Sequence, residues 1–428
     1  MNAPRPPLKS LDAALAELLA HASLLPGVDE VTTFDGDGRV LARDIVSALH
    51  VPPQDNSAMD GYAVRCADLG KDGAQLPVSQ RIPAGAAALP LQPGSVARIF
   101  TGAPVPPGAD AVVMQEDCEA VGDARPEAGA LGSVRIKSVP QPGQWIRRAG
   151  EDVARGAVVL AQGQRLTPAS LGLAASIGMS TLPVTRRPRV ALFSTGDELV
   201  MPGDLAPEHM PPGAIYNSNR FFLRVLLQRL GCEVSDYGIV PDQRDATREA
   251  LTEAARQHDL VLTSGGVSVG EEDHIKPAVQ ELGELDLWQI AIKPGKPFAY
   301  GKLYRGEGAG RGAHDACHFI GLPGNPVSSF VTFLVLVRPF LLKLQGVALT
   351  APQAMPLPAH FDWPRADKRR EFLRVRRNAA GGLDLFPNQS SGVLTSAVWG
   401  DGVVDNPAGT TIAHGDTVQF ISFAELMG

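Results

Sequence analysis

Leu260-Val261-Leu262-Thr263-Ser264-Gly265-Gly266-Val267-Ser268-Val269-Gly270 passes from an apolar triplet straight into a glycine-rich turn. A short run that is apolar at every position reads as a strand buried on both faces, as in the interior of a parallel sheet. Glu271, Glu272, Asp273 and a helix starting near His274 follow, so the segment is a strand-turn-helix unit. The same alternation continues on either side. Val190 to Phe193 is a strand ended by Ser194-Thr195-Gly196, Asn219 to Leu230 has helical spacing up to Gly231, Glu233 to Ile239 is a strand and Arg244 to Gln257 a helix. Leu287 to Ile292 and His318 to Gly321 add strands, and Val327 to Leu344 closes the region as a helix. Repeated β-α-β units with apolar strands predict an α/β domain with a mostly parallel sheet covered on both faces. Ligands of such sheets sit at the carboxyl ends of the strands.

Outward from this region the texture changes. Val51 to about Gly143 holds short β-prone pieces, such as Val96 to Phe100 and Ala111 to Met114, between Pro- and Gly-rich turns, which predicts an all-β module. Leu11 to Leu25 has helical spacing, with Ser10 and Asp12 supplying capping chemistry. A second helix runs from Thr167-Pro168-Ala169 to Ile177-Gly178 and can return the chain to the first, leaving the β module inserted in a discontinuous domain. From Ala351 the chain is Pro-broken and strand-like, which predicts a small β-barrel or sandwich.

The chain has 428 residues, enough for two to four domains. With 39 Lys and Arg against 46 Asp and Glu, its net charge of −7 gives no general reason to bind nucleic acid or an anionic membrane. Any anionic ligand must therefore be gripped locally. Cys66, Cys118, Cys232 and Cys317 lie far apart and suggest neither a disulfide framework nor a zinc site, which fits a reducing cytosol. Met1 to Ser10 has no apolar core of the signal-peptide type. In Val327 to Leu344, Arg338, Pro339 and Lys343 interrupt the apolar run before the roughly 18 to 20 residues that a membrane span needs, so a buried helix and a soluble, cytoplasmic protein are expected.

Several turns carry chemistry. Glycines after Ser264 let backbone N–H groups approach an anion, and the following helix N-terminus adds partial positive charge. The turn reads as a phosphate cradle or as a plain tight turn; with no Lys-Ser/Thr after it and no G-x-G-x-x-G, it is neither a Walker loop nor a dinucleotide fingerprint. Ser194-Thr195-Gly196-Asp197-Glu198 ends a neighbouring strand, so Thr195 and Glu198 point into the same crevice, where Glu198 can hold a metal or a ligand's donors, or can cap the surface. Lys293-Pro294-Gly295-Lys296-Pro297 presents two ammonium groups from a stiff turn, suited to an oxyanion or to a solvated hairpin tip. Leu322-Pro323-Gly324-Asn325-Pro326 could wall a flat ring or be an ordinary turn. In the β module, Asp55 to Ala63, Thr101-Gly102-Ala103-Pro104 and Arg147-Arg148-Ala149-Gly150-Glu151-Asp152 add carboxylate, hydroxyl and guanidinium groups. His314-Asp315-Ala316-Cys317-His318 lacks a matching second cluster and is given no function.

Together these motifs resemble the MoeA family of molybdopterin molybdenumtransferases, whose eukaryotic relatives include the C-terminal part of gephyrin. The match spans D-N-S-A-M-D-G-Y-A at Asp55, T-G-A-P at Thr101, R-R-A-G-E-D at Arg147, S-T-G-D-E-L at Ser194, S-G-G-V-S-V-G at Ser264, K-P-G-K-P at Lys293 and L-P-G-N-P-V-S at Leu322. The resemblance implies four parts: a discontinuous dimerisation domain (1–50 and 144–186), an inserted β domain (51–143), a molybdopterin-binding α/β domain (187–347) and a C-terminal β-barrel (348–428). It implies a homodimer in which Asp60, Thr101 and Asp152 of one subunit face Glu198 and Asp273 of the other. The implied substrates are adenylylated molybdopterin and molybdate. Molybdate attacks the phosphoanhydride, or promotes its hydrolysis, with release of AMP. Glu198, Asp242 and Asp273, with Asp60 from the partner, hold Mg²⁺ or orient the substrate. Ser264, Gly265, Gly266, Ser268 and Gly270, together with Pro323, Gly324, Asn325 and Pro326, cradle the pterin. Lys293, Lys296 and Arg147 neutralise pyrophosphate or molybdate. Ser391 belongs to a tail motif in which Ser390 stands where relatives usually carry Gly. Contacts with the adenylyltransferase of the preceding step and with acceptor apo-enzymes are further expectations. The alternatives are that adenylyltransferase itself, whose glycine turn usually reads T-G-G-T-G, and a non-catalytic molybdopterin-binding scaffold.

Overall fold

The computed structural model describes residues 8–122, 131–241, 243–266, 274–305 and 316–427. Its central sheet has the strand order Glu233–Ile239, Arg189–Ser194, Leu260–Ser264, Ala316–Leu322, Pro297–Tyr304, Gly283–Gln289. The first four strands run parallel to one another. Pro297–Tyr304 is antiparallel to both its neighbours, so Gly283–Gln289 runs with the first four and the sheet is mixed by one reversed strand. The sheet is mostly parallel as expected, and chain length explains the one reversed strand. Only residues 290–296 connect Gly283–Gln289 to Pro297–Tyr304, and a parallel crossover needs a dozen residues or more.

The apolar strands are covered on both faces, and their alternation shows how. Val190, Leu192, Leu260, Leu262 and Ile320 pack with Leu223 and Leu227 of helix Asn219–Arg229 and with the closing helix. Ala191, Phe193, Val261 and Phe319 pack on the other face against Leu251 and Ala254 of helix Arg244–Gln257 and Ile275, Ala278 and Val279 of helix Ile275–Leu282. The closing helix, Pro326–Leu344, contains a π-helical stretch at Phe333–Val337. Its 19 residues are long and apolar enough to cross a membrane, yet 89% of that window is buried inside the protein. It is a core helix.

Before this region, Val28–Thr32 pairs antiparallel with Thr181–Thr185, and Ile45–Val46 with Val158–Leu160, so the two ends of the first 186 residues are laced together. Between them lies a six-stranded sheet in the order Ala111–Met114, Gly61–Val64, Val96–Ile99, Ala74–Ile82, Ser133–Ile136, Cys118–Val121. The final segment forms a further sheet of Arg370–Arg377, Gly402–Asn406, Thr417–Ser422 and Met355–Pro358, with Leu383–Leu385 alongside. Its first strand was absent from the sequence expectation: Ile292–Lys293, from the lysine turn, joins Arg370–Arg377 in parallel.

At the base of the α/β domain Arg186 makes a two-pronged contact with Asp259, both N···O distances 2.7 Å, and the N–H of Arg189 donates to the same carboxylate at 2.8 Å. Burial by itself would raise the Asp259 carboxyl, but the Arg186 guanidinium and the Arg189 N–H hold it below its usual range. An Asp259→Asn variant is expected to lose roughly 3 kcal/mol of stability, because one partner of a largely buried pair is then left uncompensated. Asp259 binds its proton less readily folded than unfolded. Its contribution is therefore full above the unfolded value of about 3.9 and disappears as pH falls through the lower folded value. Thermal melts of both forms from pH 7 downward should converge in acid.

Candidate functional site

Parallel pairing places Ser194 beside Ser264 and Ser264 beside Leu322, so three strands end at one level of the sheet's rim. The residues that follow, Thr195, Gly265 and Pro323, line a cavity of about 580 Å³. Gly266, Gly324, Asn325 and Pro326 continue that wall, with Pro297 from the lysine turn and Glu198 at the end of the neighbouring strand. The structure thus brings Thr195, Glu198, Ser264, Gly265, Gly266, Pro323, Gly324, Asn325 and Pro326 together.

Glycine is required at two of these points. Gly265 has φ +95°, its N–H donates to Leu322 O at 3.1 Å, and a Cβ there would sit 2.7 Å from Thr195 O. Gly196 has φ +140°, and a Cβ there would collide with the carboxylate of Glu198, which folds back over it. Among the described residues that carboxylate has no cationic partner, so it is free to take a cation or a ligand donor.

One wall comes from Tyr216-Asn217-Ser218-Asn219, of which sequence reading took in only Asn219, as the start of a helix. Asn219 Nδ2 donates to Ser264 Oγ at 2.8 Å and to Gly324 O at 2.7 Å, tying the glycine turn to the Pro-locked loop. Asn217 Oδ1 accepts from the N–H of Arg220 at 3.3 Å. These backbone partners fix both amide orientations. Among the described residues, Asn219 Oδ1, Asn217 Nδ2 and Thr195 Oγ1 are buried without a partner. An unsatisfied buried polar atom costs about 1–3 kcal/mol, so three at one cavity mark a site built for something other than stability. Two asparagines and a serine directly ahead of an amphipathic helix were the available signal.

The remaining candidates lie elsewhere. Lys293 does not line the cavity: its ammonium is 3.0 Å from the buried Glu371 and 3.4 Å from Asp367, because Ile292–Lys293 is drawn into the C-terminal sheet. Lys296 has no carboxylate partner among the described residues and directly precedes Pro297 of the cavity. Asp60, Thr101, Arg147 and Asp152 lie in the loops and short strands that precede the α/β domain. Asp60 Oδ1 accepts from both the N–H and the hydroxyl of Thr101 at 2.7 Å, and that backbone N–H above all lowers the Asp60 carboxyl. Arg147 pairs across a short ladder with Asn56, while Arg148 holds Asp55 at 2.6 Å. Asp152 is exposed, and its N–H donates to Val51 O at 3.0 Å. None of these four lines the cavity of its own chain. Ser391 lies close by: its carbonyl accepts from the N–H of Val327, next to Pro326, at 2.9 Å. Asp242, Ser268, Gly270 and Asp273 lie outside the described residues, as does His314-Asp315. Cys317 is a core residue and His318 is half-buried beside it. Tyr300 Oη sits 3.0 Å from His318 Nδ1, and burial pushes that imidazole down to about 4.

Residues 9–178 match the MoeA N-terminal region (domains I and II), 191–343 a probable molybdopterin-binding domain and 356–423 the MoeA C-terminal region (domain IV). Fold and cavity therefore define a multidomain protein built around an α/β domain of the molybdopterin-binding class. Over 98% of its length the chain is 44% identical to the molybdopterin molybdenumtransferase of Haemophilus influenzae, covering all of that protein. It is 37% identical to molybdopterin molybdenumtransferase 2 of Mycobacterium tuberculosis over 89% of its own length and 92% of the relative's. The crystal structure of the molybdopterin biosynthesis MoeA protein of Pyrococcus horikoshii superposes with a TM-score of 0.81 at 28% identity, covering 97% of this chain and all of that one. The chain belongs to the MoeA family of molybdopterin molybdenumtransferases.

An Asn219→Ala variant removes the bridge between two walls of the cavity, leaving Gly324 O and Ser264 Oγ without their donor. It should lower stability by about 1–3 kcal/mol in denaturant titration. A variant as stable as the parent would show that the bridge carries no weight.

Proposed function

We propose that this chain inserts molybdenum from molybdate into adenylylated molybdopterin, releasing AMP and yielding the molybdenum cofactor. The observation that carries this reading is the cavity at the rim, where a glycine turn and a Pro-locked loop meet buried, unpartnered amide and hydroxyl groups. Such a surface suits a polar ring with a phosphate tail. Backbone N–H groups beside Gly265 and Gly266 hold the phosphate. The Pro323–Pro326 loop walls the ring, with Asn325 at its polar edge. Thr195 and Ser264 offer hydroxyls, and Ser268 and Gly270 are assigned to the phosphate by the family resemblance alone.

Glu198, Asp242 and Asp273, with Asp60 of a second copy, would hold Mg²⁺; its charge neutralises a phosphoanhydride. The Glu198 carboxylate, without a cationic partner among the described residues, fits that donor set, since Mg²⁺ takes oxygen ligands and leaves room for substrate phosphate. Lys296 neutralises molybdate or the pyrophosphate bridge, and Lys293 braces the turn that presents it. Asp60, Thr101, Arg147 and Asp152 stand away from their own chain's cavity. We read them as facing a neighbouring copy's cavity in a homodimer, in which residues 1–50 and 144–186 make the subunit contact, 51–143 the inserted β domain, 187–347 the α/β domain and 348–428 a β-barrel. The place of action is the cytoplasm, where the preceding adenylyltransferase and the acceptor apo-enzymes are the partners.

Purified protein incubated with adenylylated molybdopterin and Mg²⁺ should release AMP only when molybdate is added. Release that ignores molybdate would overturn the reaction, and a protein that binds the pterin without releasing AMP would be a scaffold. Lys296→Ala should slow release by about 10²-fold, the usual loss when one group that stabilises developing charge is removed. An Asp273→Asn variant with the parent rate would take that residue out of its role.

A further inference from the structure

Arg374 is among the largest side chains that are completely buried. Its Nε–H donates to Ser396 Oγ at 3.1 Å, Nη1 to Phe372 O at 3.0 Å and Nη2 to Ser390 O at 3.4 Å. All three acceptors are neutral. Among the described residues no carboxylate pairs with it, and burial alone pushes the guanidinium down to about 10. A buried cation without a counter-charge is costly, and an apolar side chain of similar volume would fill the space at lower free energy. Packing does not account for an arginine here.

Its setting does. The strand Arg370–Arg377 begins against Ile292–Lys293 of the lysine turn. Four residues on, Arg374 grips the segment before Ser391. The Arg374 N–H donates to Gln389 Oε1 at 2.9 Å, and Gln389 Nε2 donates back to Arg374 O at 3.0 Å. Ser391 O in turn accepts from Val327 N–H at 2.9 Å, one residue past Pro326 of the cavity wall. One strand thus links the lysine turn, the Ser391 segment and the Pro-locked loop.

We propose that Arg374 is a positioning residue of the transferase site: its buried charge fixes Gln389–Ser391 against the cavity wall and favours a tetrahedral oxyanion at that corner. This rests on the function proposed above. Molybdate and the phosphates of the adenylylated pterin share the required chemistry, so the test varies each separately.

AMP release is measured for the full chain, the Arg374→Met variant and the Arg374→Lys variant, first against molybdate and then against adenylylated molybdopterin. Arg374→Met should raise one of the two KM values by tenfold or more with a smaller change in kcat, and the affected KM names the anion. Arg374→Lys, which keeps the charge, should recover most of that loss. A folded Arg374→Met variant with both KM values unchanged, or a rate loss that only follows the folded fraction, would overturn the proposal. If Arg374→Met does not fold, Gln389→Ala releases the same segment and must itself raise one of the two KM values; unchanged values there are equally fatal. Calorimetric titration of parent and variant with molybdate alone, and with inorganic phosphate alone, reads the effect without turnover. Failure of the parent to release AMP would thus count against the function, and equal oxyanion affinities in parent and variant against Arg374.

Discussion

Parallel register is the constraint from which the site follows. Ser194, Ser264 and Leu322 lie side by side because three neighbouring strands run in the same direction and pair without offset. Every turn that leaves those strands must then open on the same edge of the sheet. A slip of one residue would exchange the two faces of a strand, and each face here is fitted to its own helices, so the register cannot drift. The hydrophobic effect thereby holds a polar cavity in shape without taking part in its chemistry.

Much of this could be read from the residues. Apolar runs such as Val190 to Phe193 and Leu260 to Leu262 announced strands buried on both sides, and the glycines and prolines after them announced turns at one rim. Helix bounds were legible where capping chemistry was explicit: Thr167 Oγ1 accepts from Ser170 N–H, and Pro168 opens the helix. The antiparallel strand Pro297–Tyr304 was hidden because its two faces are both buried, Phe298 and Tyr300 in one core and Ala299 and Leu303 in the other, so nothing in its pattern sets it apart from a parallel strand. Its direction depends on the length of the connection before it.

Side-chain partners were the least legible. Nothing in Lys293-Pro294-Gly295-Lys296 distinguishes its two lysines, yet Glu371 and Asp367, more than 70 positions away, take one of them. A contact of that kind depends on how two domains meet. Asn217 and Asn219 were passed over for the opposite reason: asparagine before a helix is ordinary capping chemistry, and only the three-dimensional arrangement reveals their unpaired atoms. The pairing of Asp60 with Thr101 was not foreseen, and their mutual hydrogen bonds account for the order of an otherwise irregular loop.

The two-residue strand Ile292–Lys293 has a consequence for anyone dividing this molecule. It contributes an edge to a sheet whose other members come from the final 74 residues, Met355 to Gly428. A chain stopped before that sheet would leave the edge unpaired beside the solvent-stripped faces of Trp288 and Ile290, a template for strand addition between copies. The α/β domain is therefore not a detachable cassette, and a fragment cut at its apparent end would tend to self-associate.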